Sequence, residues 1–491
     1  MENQQKKNEL RLFYRSIQGA KWVTFSNLTI KLINLVSIAV LARLIVPAQY
    51  GIASTIFFII GVFETFTEPG LERAFIQSKE RESSLMNSIW TFNIFRGIFT
   101  YLLVYLSAPF IADFFSISDS VFLLRAASIY LIIWGFRSIG LSALFKDLKF
   151  KQFYFYDLIR QLAFFFAAFL WALFQPTATA LIVGHLTLYT SSVIVVYFLD
   201  DFRPKFDFHF YNLKKLTGYS KWVVGYNLLN YLNGILDSSF IAHRLGPTPL
   251  AFYNKAQDIA RVPSSFTDQI ISKVAFPIYA KIVDSRESVR EGYMKTYEFV
   301  LVISAPFFIS IFFFSEKIIS ILLGKNWLQT APLLKILIFA IILKSLVNTT
   351  FPLFDGIGYP NIRFKSTFIQ LTSSFFLFLY LIPQYGVLGA SYGLLVSSFL
   401  VFFYSIFQSQ RLIRLPLWRY FLVILIVCAA SFLTMLLGWP MYSFLQASNS
   451  FQFILFMIVF GLLYLIFVYI FGSLFRSGPY HTIKAVFRNL R

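Results

Sequence analysis

Residues 21–50, KWVTFSNLTIKLINLVSIAVLARLIVPAQY, decide the architecture. The stretch holds a run long enough to cross ~30 Å of hydrocarbon as a helix, and Lys31 is its one charge between Lys21 and Arg43. It also returns. Lys21-Trp22-Val23 recurs as Lys221-Trp222-Val223, Asn27-Leu28 as Asn227-Leu228, Leu32 as Leu232, Ala42 as Ala242 and Pro47 as Pro247. Further on, Phe66-Thr67 recurs as Phe266-Thr267, so the offset stays at 200 residues (221 minus 21). Leu and Ala coincide easily between two apolar segments. Trp, Pro and Asn at one constant offset do not, because each is only a few per cent of an average chain. The chain therefore reads as a duplication, the kind of repeat between whose copies transporters place a substrate path.

Composition agrees. A chain of 491 residues that is 57% hydrophobic, 20% aromatic and 13% charged carries more apolar surface than water-soluble cores can hide. The net charge of +20 would suggest nucleic acid in a soluble protein, but the Lys and Arg lie between apolar blocks and read as topology signals. Cys428 is the only cysteine, which excludes disulfide frameworks and cysteine-based metal or redox motifs. No G-x-x-x-x-G-K-[ST] phosphate loop is present, and no cofactor or metal is expected.

Apolar runs centre near residues 35, 58, 97, 132, 164, 188, 231, 260, 302, 340, 372, 397, 428 and 462, giving about 14 spans. Alternate loops hold the positive charge: Arg73, Lys79 and Arg81, then Lys146, Lys149 and Lys151, then Arg203 to Lys215, and so on to Arg476–Arg491. The intervening Asp113–Asp119 and Pro383–Gly389 loops hold none. Both termini are expected in the cytoplasm, although Arg43, His243, Arg244, Lys317 and Lys325 fall on the outer side. The fold class is thus an all-α polytopic membrane protein, two six-helix lobes of equal topology plus two C-terminal helices. Its expected parts are an interfacial N-terminal segment (1–21), an N-lobe (22–200), a cytoplasmic linker (201–218), a C-lobe (219–410), spans 13 and 14 (411–475) and a basic cytoplasmic tail (476–491). Leu10, Phe13, Tyr14 and Ile17 share one face of the N-terminal segment, as in a helix lying on a membrane.

Specific residues sharpen the class. Gly19-Ala20-Lys21-Trp22, Leu41-Ala42-Arg43-Leu44, Pro47 and Tyr50-Gly51 resemble the opening of polysaccharide flippases in the multidrug/oligosaccharidyl-lipid/polysaccharide exporter superfamily. Pro69-Gly70-Leu71 with Ala74-Phe75-Ile76-Gln77 and Lys79-Glu80 resembles the segment after span two, with Glu68-Pro69-Gly70 standing where the family usually has Asp-Phe-Gly. Phe252-Tyr253-Asn254-Lys255-Ala256 and Phe276-Pro277 look like its span-eight region. The resemblance is to lipopolysaccharide, capsule and colanic-acid exporters. It implies an undecaprenyl-pyrophosphate-linked oligosaccharide, carried from the cytoplasmic to the outer leaflet of a bacterial inner membrane. It implies no enzymatic activity, and as partners the bilayer, that lipid-linked substrate and a polysaccharide polymerase complex.

A charge inside a span costs at least a few kcal/mol, so each needs a partner, a wet cavity or a function. Arginine matches a pyrophosphate by its bidentate fork. Arg96, Arg137, Lys255, Arg261 and Lys31 are accordingly the expected substrate ligands, and Asp237, Glu64, Glu68 and Asp258 the expected ion-coupling or gating groups. Bland readings compete. Glu64 and Glu68 are placed to pair with Arg96 or Arg73, while Lys255, Asp258 and Arg261 are spaced to neutralise one another. Asp157 with Arg160 reads as a helix-surface pair, His185 as a bundle hydrogen bond, and Arg125 as a snorkelling end. Asp237 with Lys31, in the first spans of the two lobes, is a candidate pair or cation site. Pro69, Pro263, Pro306, Pro332 and Pro352 are candidate bend points. The competing functions are a drug or small-molecule antiporter of the same superfamily, a peptidoglycan-precursor flippase and a membrane glycosyltransferase or polymerase. Short loops make the last the weakest.

Overall fold

Inside hydrocarbon no water satisfies a backbone amide, so apolar runs must bond within themselves and become helices. The computed structural model describes Trp22, residues 25–77, 83–147, 149–209, 229–270, Tyr279, 285–445 and 450–474. Among the described residues there is no β-strand. The helices are α1 (Phe25–Leu44), α2 (Pro47–Thr67), α3 (Leu71–Gln77), α4 (Ser83–Phe114), α5 (Val121–Gly135), α6 (Gly140–Lys146), α7 (Phe150–Phe174) and α8 (Ala178–Leu199). They continue with α9 (229–245), α10 (Pro247–Ile270), α11 (Arg286–Leu322), α12 (Thr330–Gly356), α13 (Pro360–Tyr385), α14 (Val387–Ile413), α15 (Leu417–Leu445) and α16 (Ser450–Leu474).

The protein is an all-α multi-pass membrane protein. Eleven of the described helices are long and apolar enough to cross a membrane, and each of the fourteen expected centres falls in a different helix. Of the fourteen helices at the expected centres, three fall short of that criterion: the described part of α9, α16, whose apolar stretch is Leu455–Phe471, and α10, which carries Lys255, Asp258 and Arg261. The expected interfacial segment at 1–21 and the basic tail at 476–491 lie outside the described residues.

The chain packs as two units, Met1–Ala251 with Leu322–Asn326, and Phe252–Ile321 with Trp327–Arg491. In the first, Ile56, Ile59 and Ile60 of α2 bury against Val104, Ala108 and Ala112 of α4, Leu124, Ala127 and Leu131 of α5, and Ile182 of α8. In the second, Tyr293, Tyr297 and Leu301 of α11 pack with Leu346 and Leu353 of α12, Val401 and Ile406 of α14, Tyr420 and Val423 of α15, and Tyr464 of α16. Large apolar side chains elsewhere, such as Phe166, Leu170 and Phe174 on α7, stand exposed, as lipid-facing surface must.

Prolines play several parts. Pro69 does not bend a helix but ends one: the residue before a proline is pushed out of the α region, and Glu68 is extended at φ −84°, ψ 106°. Gly70 follows at φ 74°, a left-handed angle that costs glycine nothing. Glu-Pro-Gly is therefore a stop and a turn between α2 and α3. Pro332 lies in the first turn of α12, whereas Pro263, Pro306 and Pro352 sit inside helices. In α11 the non-helical dihedrals occur at Phe314 (φ −107°, ψ 20°), beyond Pro306.

Helices α4 and α5 touch through their backbones. A Cβ on Gly97 would lie 2.4 Å from the Leu131 carbonyl oxygen, and one on Gly135 would lie 2.8 Å from that of Asn93. Small residues permit such an approach between membrane helices. Changing Gly97 to Ala is expected to force α4 and α5 apart at a cost of roughly 1–3 kcal/mol, the usual overpacking penalty. A melting temperature equal to wild type in detergent would contradict the close approach.

After α8 the chain does not leave the first unit. Residues 200–209 run extended along the first turns of α4. Lys205 N–H donates to Asn87 Oδ1 (2.9 Å), Asp207 N–H to Thr91 Oγ1 (2.9 Å), and Ser84 Oγ to Asp207 Oδ2 (2.9 Å). Ser84, Asn87 and Thr91 follow the three- and four-residue spacing of one helix face, and Phe206 packs 5.1 Å from the Trp90 ring. The His209 backbone N–H (2.9 Å) and imidazole Nδ1 (2.7 Å) also meet Asp207 Oδ1. These contacts hold the Asp207 carboxyl down at about 2, the His209 backbone amide first and its side chain second. A depressed carboxylate stabilises above its unfolded value, about 3.9, and loses that contribution as pH falls toward 2; neutral pH is on the plateau. Asp207→Ala at neutral pH is expected to free this strap, so that trypsin cuts after Lys205 severalfold faster. Unchanged cleavage would mean the strap is held by its other contacts alone.

Candidate substrate-binding site

The Glu-Pro-Gly turn places three carboxylates, and each finds a different partner. Glu64, one turn before the end of α2, accepts a hydrogen bond from Tyr130 of α5 (2.8 Å), whose ring stacks on Tyr189 of α8 at 4.1 Å. Glu68 caps α2 and reaches α4, where its Oε2 lies 3.1 Å from Arg96 Nη1. Glu72, displaced by the turn onto α3, meets Arg137 at the end of α5.

The two arginine pairs differ. Arg137 Nη2 lies 2.7 Å from both Glu72 oxygens, and the guanidinium sits 3.9 Å over the Trp134 ring. Ser142 Oγ of α6 donates to Glu72 Oε2 at 3.0 Å, and Asn93 Nδ2 of α4 to Oε1 at 3.4 Å. Glu72 thus gathers donors from α4, α5 and α6. Burial pushes its carboxyl up, but the Arg137 charge, the hydrogen bonds from Arg137 and Ser142 and the Arg96 charge together outweigh that and hold it below the ordinary carboxylate range. Arg96 is as enclosed as Arg137, but its partner is not. Its side chain is 8% exposed and its partner Glu68 is 41% exposed. The buried Arg96 Nε has no hydrogen-bond partner among the described residues. Beside the pair, Thr100 Oγ1 lies 3.0 Å from Thr67 Oγ1 and donates to the Arg96 carbonyl at 2.7 Å, tying α4 to the end of α2.

The remaining expected residues are more dispersed. In the first unit, Lys31 is half-buried within α1, and Asp237 is buried within α9 with its carboxylate accepting the Ser238 N–H at 2.7 Å. Asp157 and Arg160 pair at 3.0 Å on α7. His185 Nδ1 lies 2.8 Å from the Leu181 carbonyl, with its ring against Phe57. Arg125 is spent on the Tyr105 carbonyl at 3.2 Å. In the second unit the charges on α10 engage neighbours on their own helix: Lys255 Nζ meets Asp258 Oδ2 at 3.2 Å, and Arg261 donates to Gln257 Oε1. Glu72 and the buried Glu298 of α11 were not singled out from the sequence. For Glu72 a signal existed, since Glu64, Glu68 and Glu72 recur every four residues; Pro69-Gly70 between them hid which partner each would find. Among the described residues no three His, Cys, Asp or Glu side chains converge on a point that would suit a metal ion.

This helical arrangement is shared with known transporters. The lipid II flippase MurJ in an inward-closed conformation superposes with a TM-score of 0.72 over 93% of this chain and 99% of its own, at 15% identity. An inward-facing multidrug resistance MATE family transporter of the MOP superfamily gives 0.61 over 78% and 95%, at 14% identity. The fold is the one these MOP-superfamily transporters have. Within that class, residues 40–332, more than half of the chain, match the family described as polysaccharide biosynthesis protein, and the chain belongs to that family. Similar curated proteins include the lipopolysaccharide biosynthesis protein WzxC of Escherichia coli (strain K12), 26% identical over 79% of this chain and 78% of its own. The teichuronic acid biosynthesis protein TuaB of Bacillus subtilis (strain 168) is 24% identical over 68% and 69%.

Proposed function

We propose that the protein moves undecaprenyl-pyrophosphate-linked oligosaccharide repeat units from the cytoplasmic to the outer leaflet of a bacterial inner membrane, by alternating access, for surface polysaccharide assembly. The observation that carries this reading is Arg96: a guanidinium in a membrane-crossing helix, nearly enclosed, with an unused Nε donor beside a half-exposed carboxylate. Such a group is expensive in hydrocarbon unless it serves an anion. A flippase must provide for one, because the pyrophosphate headgroup has to cross low dielectric while the prenyl tail stays in lipid. Membership of the polysaccharide biosynthesis family and the fold shared with a lipid II flippase support the same substrate class.

In this reading Arg96 is the phosphate ligand of the first unit, Lys255 and Arg261 are the expected ligands of the second, and Arg137 with Glu72 holds α3, α5 and α6 in register around Arg96. Lys31 remains a proposed substrate ligand that is also a candidate partner of Asp237, and Asp237, Glu64, Glu68 and Asp258 remain the proposed coupling and gating groups. The N-terminus and the basic tail face the cytoplasm, the two six-helix lobes are 22–200 and 219–410, and a polysaccharide polymerase is the downstream partner. The protein itself catalyses no covalent step.

The test is complementation of a flippase-null strain. Wild type restores surface glycan and clears lipid-linked repeat units from the cytoplasmic leaflet. Failure in several glycan backgrounds, together with efflux of cationic drugs, would assign the chain to small-molecule antiport instead.

A further inference from the structure

Resting on that reading, we propose that Glu68 is a built-in stand-in for the substrate's phosphate, occupying Arg96 until a pyrophosphate displaces it and reclaiming Arg96 when the lipid leaves. Glu68 thereby sets which anionic lipids the site accepts.

Four observations carry the exchange. Arg96 spends one nitrogen on Glu68, while its buried Nε is unpartnered, so the fork has unfilled donors. Two charged oxygens of a phosphate fit that fork as a carboxylate does, with more charge. Glu68 is the least enclosed member of the cluster, 41% exposed against 26% for Glu72. Apart from Arg96, its other hydrogen-bond partner among the described residues is the Gly70 N–H, which donates to Oε1 at 3.2 Å inside its own turn. An exposed carboxylate on a helix cap can swing into water at little cost, whereas Glu72, held by Arg137, Ser142 and Asn93, cannot. Finally, Thr100 Oγ1 meets Thr67 Oγ1 at 3.0 Å, which ties α4 to the end of α2 and keeps Arg96 facing Glu68.

Two consequences follow for a transporter. An empty site never exposes an unpaired buried guanidinium, which would cost several kcal/mol. A competing internal carboxylate also raises the threshold for binding: a zwitterionic or singly charged headgroup gains too little over Glu68, while a pyrophosphate gains enough. This is discrimination by an element that opposes the wrong ligand.

The full chain in phosphatidylcholine nanodiscs, probed with undecaprenyl pyrophosphate and separately with phosphatidylglycerol, tests the exchange. Glu68→Gln keeps the shape and removes the charge. It is expected to tighten undecaprenyl pyrophosphate binding by about tenfold, equivalent to ~1.4 kcal/mol. It should also confer phosphatidylglycerol binding that wild type lacks, whereas Glu68→Asp should retain rejection. In cells Glu68→Gln should slow transport, because release is no longer driven by carboxylate return. Weaker or unchanged binding by Glu68→Gln overturns the exchange, and if wild type still binds undecaprenyl pyrophosphate the flippase reading survives that result. No binding by wild type, with binding of a cationic drug, removes both. Should single variants misfold, the paired Arg96→Leu/Glu68→Leu protein removes both charges together and is expected to insert normally but bind neither lipid; retained pyrophosphate binding there would also overturn the proposal.

Discussion

Arg137→Ala is expected to destabilise the protein by about 3–5 kcal/mol, the usual cost of stranding one partner of a buried ion pair. Its loss leaves Glu72 with Ser142 and a long contact from Asn93, without a counter-charge. It also removes the stack on Trp134 that fixes the end of α5. Thermal melting in detergent should fall steeply, and little protein should reach the membrane. The double variant Arg137→Met/Glu72→Leu should recover most of the loss, since replacing a buried pair by apolar groups is often neutral or stabilising. If the double variant melts as low as the single, stacking rather than the unpaired carboxylate carries the effect.

Arg96→Ala should act on transport instead. Losing charge-assisted hydrogen bonds to phosphate, at ~1.5–3 kcal/mol each, is expected to reduce repeat-unit export by roughly 10- to 150-fold. Stability should fall far less than for Arg137→Ala, because the abandoned Glu68 is half-exposed and can be hydrated. Arg96→Lys keeps the charge but not the fork and should recover only part of the activity. Accumulated lipid-linked repeat units in a flippase-null strain, measured beside protein levels in the membrane, separate the two arginines. Equal loss of folded protein in both variants would erase the distinction drawn between them.

The spans were legible because hydrophobic length survives any tertiary arrangement: every expected centre, including residue 260 in the polar α10, lies within a helix of its own. What sequence could not give was partnership. Glu64, Glu68 and Glu72 look like one helical stripe, and only the turn at Pro69-Gly70 sends the third to α5 while the second stays with α4. Arg96 and Arg137 likewise look equivalent, as lone cations in apolar surroundings. Their difference lies in Trp134, Ser142 and Asn93, brought together across three helices by the Gly97 and Gly135 contacts. The short helices α3 and α6, seven residues each, are too brief to show a hydrophobic period of their own.

The pairing of Glu72 with Arg137 also has a history within each molecule's synthesis. The two residues are 65 positions apart, so at 5–20 residues per second the carboxylate emerges roughly 3–13 s before its guanidinium. Throughout that interval the ribosome-bound chain holds α3 with an unneutralised acid, and α5 is completed just as the cation that neutralises it arrives. The pair cannot form until α5 has been made, so the buried contact that joins α3 to α5 is among the later ones this part of the chain completes.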